Sequence, residues 1–176
     1  SKSMRDLGLQ LLAELVGETP DGQIPNTLLE HILDLAEREA SKGNYIGFFA
    51  IKKLSCVSPF NISYAEAFKS FIPMMVQRLF LNSEYAPEMD PTHSKESTMI
   101  ANDNCVSALG AILINIFGDS LIEFFNIFEF DESNPIVEGL NVPIILVILS
   151  AMPPQIDISE NESIMEFFLW LFEKAE

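Results

Sequence analysis

The chain has 176 residues, 48% of them hydrophobic, and a formal net charge of −16 at pH 7. That length and apolar content are enough for a folded core and exclude a disordered tail. The acidic balance argues against a basic face for a phosphate backbone or an anionic membrane. The acid is unevenly spread: up to Gly118 there are 14 acids against 9 bases, and from Asp119 onward 12 acids against the single base Lys174.

Prolines and glycines lie between periodic segments, and no run alternates apolar and polar residues as a half-buried strand would, so the expected fold class is all-α. Helices are predicted near residues 3–16, 25–40, 44–57, 62–82, 95–117, 119–129, 141–152 and 160–175. Four starts carry Ser or Thr followed three residues later by Glu, the reciprocal capping pattern: Thr27 with Glu30, Ser63 with Glu66, Ser120 with Glu123, and Ser159 with Glu162. Breakers separate them at Gly17 to Gly22, Ser41 to Asn44, Ser58 to Asn61, Asn82 to Pro91, Asp131 to Gly139 and Pro153 to Pro154.

The segments pair as helix, turn, helix. Leu28, Ile32 and Leu35 form the expected core stripe of the second, answered by Ile46, Phe49, Ile51 and Leu54 on the third. Phe68, Ile72, Met75, Leu79 and Phe80 do the same for the fourth. Pro73 lies inside that long apolar segment and predicts a bent helix, the alternative being two shorter ones. The fifth carries two stripes, Cys105, Leu109, Ile112 and Ile116 beside Val106, Leu113 and Phe117, interrupted by Ala108, Gly110 and Ala111. A helix apolar on two sides is packed between neighbours. Ile144, Val147 and Ile148 on the seventh are answered by Ile164, Phe167, Phe168 and Leu171 on the eighth. Three antiparallel pairs with one leading helix, each pair spanning roughly forty residues, is the period of HEAT or armadillo units, whose stacking buries a continuous core.

The phrase NDNCVSALGAIL, with Asp103, Asn104, Cys105, Val106, Ser107 and Ala108 at its centre, resembles the second helix of a HEAT repeat near the C-terminal end of beta-karyopherins of the importin beta-3 type. FKSFIPMMVQRLF resembles the first helix of the same repeat, NVPIILVILSAMPP the next first helix, and ESIMEFFLWLFEKAE its partner. The resemblance covers roughly residues 45 to 176. It departs from the family at 119–139, which are longer than the usual connection, and the first 44 residues match by pattern alone. It implies a single HEAT-repeat array over 1–176, about three to four repeats of a longer nuclear transport receptor. It also implies binding of cargo proteins under control of the Ran GTPase, contact with nucleoporins, and shuttling between cytoplasm and nucleus. A HEAT or armadillo scaffold outside nuclear transport is the alternative.

In that family second helices line the cargo face, which makes Asn102, Asp103, Asn104, Glu162 and Glu166 candidate partner-binding residues. Their acids suit a basic cargo; capping and solvation are the plainer reading of each. Phe124, Phe125 and Phe128 show more aromatic surface than one short helix easily hides, so they either pack beside the central helix or dock a partner.

Catalysis has little to work with. His31 and His93 have no Cys, Asp or Glu at metal-ligand spacing, and no phosphate loop or nucleophile elbow is present. Asp131 and Glu132 lack an apolar pocket to split their pKa values. No enzyme, metal or cofactor is expected. Cys56 and Cys105 are expected to be buried free thiols. The apolar run Val142–Met152 is about half of the roughly 20 residues a membrane span needs, and no secretory signal opens the chain, so a soluble intracellular protein is expected.

Overall fold

The computed structural model describes residues 2–81 and 95–117, together with Met165 and Leu169. Among these residues every regular element is helical and there is no strand. The chain begins with α1 (Lys2–Glu18), α2 (Asn26–Ser41) and α3 (Tyr45–Ser55). Three short helices follow, α4 (Phe60–Ser63), α5 (Ala65–Ser70) and α6 (Ile72–Leu81), and then the long α7 (Lys95–Ile112), whose end continues as a π-helical turn, Leu113–Phe117. The predicted segments at 119–129, 141–152 and 160–175 lie outside the described residues, apart from the two positions named.

Of the four expected capping pairs, Ser120 with Glu123 and Ser159 with Glu162 lie outside the described residues, and the two within them do not cap their helices. Pro25 precedes α2 with φ −59° and no side-chain cap hydrogen bond, so Thr27 sits inside the helix. The fixed backbone of the proline does the work instead, its carbonyl accepting from the amides of Leu28 and Leu29 at 3.0 and 3.2 Å. Ser63 ends α4, and the residue before α5 is Tyr64, again without a side-chain cap bond. The genuine cap is Asn44. Gly43 reverses the chain with φ 75°, and Asn44 Oδ1 accepts from the Ile46 amide at 3.3 Å. Its Nδ2 donates to Asp6 at 2.9 Å and to Glu39 at 3.0 Å, so one side chain ties α1, α2 and α3 together. Hydrogen bonds from Lys42 and then Asn44 hold the Glu39 carboxyl below its ordinary pKa.

The buried stripe of α2 is Leu29, Ile32, Leu33, Ala36 and Ala40, whereas Leu28 and Leu35, expected in it, are 40% and 41% exposed. Alanine decides the difference. A Cβ on Gly47 of α3 would stand 2.5 Å from the Ala36 carbonyl oxygen and against the Ala40 amide nitrogen. The two backbones meet through their smallest residues, and α2 rotates to allow it. On α3 the buried set is Ile46, Gly47, Phe48, Ala50, Ile51, Leu54 and Ser55, with Phe49 half-buried.

The predicted bent helix at 62–82 is instead a series of pieces. Phe71 separates α5 from α6, and Pro73 is the second residue of α6, where a missing amide costs nothing. An aromatic stack fastens this stretch: Phe60 on Tyr64 at 4.4 Å, and Phe60 with Phe68 and Phe68 with Phe71 edge-to-face at 6.1 and 6.3 Å.

Contacts fix the helix directions. Asp6 meets Asn44 at the starts of α1 and α3, and Gly17 lies against Lys53 near their ends, so these two helices run parallel. Lys69 lies over the Phe117 ring at 5.3 Å while Cys105 donates to the Met75 carbonyl at 3.7 Å, so α5 and α6 run antiparallel to α7. Asn115 donates to Cys56 Sγ at 3.4 Å, and ten residues earlier Cys105 meets α6, whose Arg78 covers Phe48 at 5.6 Å, so α7 runs parallel to α3. The helices α1, α3 and α7 therefore form one layer, and α2 with α5 and α6 the opposing one, joined by Ser41 Oγ on Met74 Sδ at 3.5 Å.

As the two stripes require, α7 packs between neighbours, against α3 and α6. Ala101, Cys105, Ala108, Leu109, Gly110, Ala111, Ile112, Leu113 and Phe117 are buried, while Val106 and Ile116 are only half covered. Met99–Phe117 is long and apolar enough to cross a membrane by length and composition; here its small residues are the contact surface of a packed helix.

Candidate partner-binding surface

The three described candidates, Asn102, Asp103 and Asn104, are consecutive on α7, and successive helical residues point about 100° apart. They do not form one patch. Asn102 lies one turn before Cys105, on the side that meets α6, and its Oδ1 is buried without a hydrogen-bond partner. Asp103 is exposed to solvent. Asn104 spends its Nδ2 on the Ile100 carbonyl at 2.9 Å. Glu162, Glu166, Phe124, Phe125 and Phe128 lie outside the described residues, as do His93, Asp131 and Glu132. His31 is exposed on α2, and among the described residues no group of three or more His, Cys, Asp or Glu is placed to hold a metal.

The thiols are not alike. Cys105 is buried, and burial pushes it up to about 12, with nearby Arg78 opposing the rise. Cys56, expected to be buried too, is exposed. It follows the last turn of α3, where the helix C-terminus turns its side chain out toward Asn115.

Cys56 belongs to a feature the pattern reading missed. The middle helix of the parallel layer meets α1, α2 and α7 on three sides, and what remains to solvent is one stripe: Tyr45, Phe49, Lys52 and Cys56, at steps of four, three and four. Tyr45 is 40% exposed, Phe49 half-buried, and Lys52 and Cys56 exposed. Lys53 borders the stripe, its Nζ 5.5 Å from the Phe49 ring centroid and its stem along Gly17. The helix contains no carboxylate. A signal was present in the sequence, for Tyr45–Ser55 carries two lysines and no acid within a chain of net charge −16.

No family model, no curated protein and no solved structure matches the chain.

Proposed function

We propose that the chain is part of a HEAT-repeat array working as a protein-binding scaffold, in a nuclear transport receptor of the beta-karyopherin type. The observation that carries this reading is the layering: α3 and α7 run parallel and adjacent, each backed by an antiparallel helix, α2 or α6, with α1 continuing the inner layer. A stack of such pairs buries a continuous core and offers one row of parallel helices to partners. The helix carrying NDNCVSALGAIL is one of that row, and the segment resembling its first helix supplies α6. These positions support the resemblance.

In this reading the carboxylates of Asp103, Glu162 and Glu166 receive a lysine- or arginine-rich cargo, and Ran-GTP releases it during shuttling between cytoplasm and nucleus. The array contributes binding and shape rather than chemistry. The test is a pull-down with the natural protein that contains this chain, using Ran loaded with GTP or GDP, with and without a lysine-rich cargo. GTP-selective binding that displaces the cargo is expected. Equal binding of both nucleotide forms would reject the transport assignment, and unchanged cargo affinity after Asp103→Asn, Glu162→Gln and Glu166→Gln would reject these contacts.

A further inference from the structure

We propose that the exposed stripe of α3 binds an acidic, aromatic-bearing segment of a partner protein, a second class of partner beside basic cargo. The inference rests on α3 being a partner-facing helix of the scaffold proposed above. Tyr45 and Phe49 supply the apolar floor, Lys52 and Lys53 the charge, and α1 and α7 run along its two sides.

Charge complementarity selects the occupant. Neither Lys52 nor Lys53 has an ion pair among the described residues, and their own helix carries no acid to supply one. Two lysines in a last turn also complement the helix dipole, but the dipole does not account for an exposed tyrosine and a half-buried phenylalanine on the same stripe. Tyrosine is among the residues enriched in binding hot spots, and the two lysines beside it supply the charge that selects an acidic partner. A partner carboxylate reaching Lys52 or Lys53 gains a charge-assisted bond, at Lys53 beside the Phe49 face that already excludes water from one side. A phosphate polymer is the poorer occupant, because the net charge of −16 repels it over its whole length whereas a short acidic segment meets only the local field.

The experiment is fluorescence anisotropy on the full chain with a labelled peptide in which Asp and Glu alternate with Phe. Controls are its Asn/Gln counterpart and a single-stranded RNA of equal charge. Salt-sensitive binding of the acidic peptide alone is expected, weakened about tenfold or more by Lys52→Glu, the size of one lost charge-assisted contact. Tyr45→Ala should weaken it too, and Lys42→Glu, paired with Glu39 on α2, should leave it unchanged. Absence of acidic-peptide binding, equal weakening by Lys42→Glu, or equal affinity for the RNA would overturn the proposal. Lys52 is exposed, so its variant stays folded with at most the small loss of one helix-dipole contact, and a melting curve separates lost binding from lost folding. Failure here leaves the Ran experiment untouched, and failure to discriminate the Ran nucleotides leaves this binding assay readable.

Discussion

At Gly47 the packing of two helices depends on one missing methyl group. Gly47→Ala would force backbone apart at Ala36 and Ala40, and overpacking of a tight core costs about 1–3 kcal/mol. Gly8, on α1, has nothing within 4 Å of a built Cβ, so Gly8→Ala gains helix propensity, about 0.5–1 kcal/mol. Urea midpoints should move in opposite directions for the two variants, and a neutral Gly47→Ala would show that α2 and α3 do not approach so closely. The thiols give a second test. Cys56 should react with a thiol reagent in the native state and Cys105 only after unfolding. Because the folded pKa of Cys105 is raised from 9.0 to about 12, its contribution is complete below pH 9 and is lost as pH climbs toward 12. The limiting slope is about 1.4 kcal/mol per pH unit. Comparing the alkaline slopes of the natural chain and Cys105→Ala isolates that group from the lysines and tyrosines titrating alongside.

Between elements, the instructive case is the stretch before α7. A bent single helix and a chain of short ones predict different outcomes for Pro73→Ala. A proline inside a helix costs about 3 kcal/mol, so its removal would stabilise a bent helix strongly. At the second position of α6 the ring displaces no hydrogen bond, so the variant should shift stability by less than about 1 kcal/mol and leave far-UV dichroism unchanged. The existence of helices was legible because apolar spacing reports it directly, and the packed character of α7 was legible because Ala108, Gly110 and Ala111 interrupt two stripes. What periodicity could not supply was the face of α2. It favours bulky residues, Leu28 and Leu35, whereas the contact runs through Ala36, Ala40 and Gly47, chosen by how near two backbones come. The candidate site suffered likewise. Asn102, Asp103 and Asn104 are neighbours in sequence and diverge around the helix, while Tyr45 and Lys52, seven apart, share a stripe.

Over the whole described molecule the packing is between neighbours: α1 on α3 and α2, α2 on α3, α3 on α7, and α6 on α7. In the repeat-array reading proposed above, stability is a sum of local units joined by interfaces, and the ends open before the middle. The two faces of α1 make this measurable. Leu9, Ala13 and Val16 are buried against the layer, while Leu7, Leu11 and Leu15 are 50%, 56% and 57% exposed. Leu9→Ala removes a core side chain and should cost about 2–5 kcal/mol, whereas Leu11→Ala should cost well under 1 kcal/mol. The loss at Leu9 should also stay local. Native-state hydrogen exchange on Leu9→Ala is expected to show deprotected amides in α1 and weakened protection in α2 and α3, with α6 and α7 close to their original values. Equal loss of protection in α7 would mean that the layers unfold as one cooperative body, and the description of the fold as stacked helix pairs would then have to give way to a single globular core.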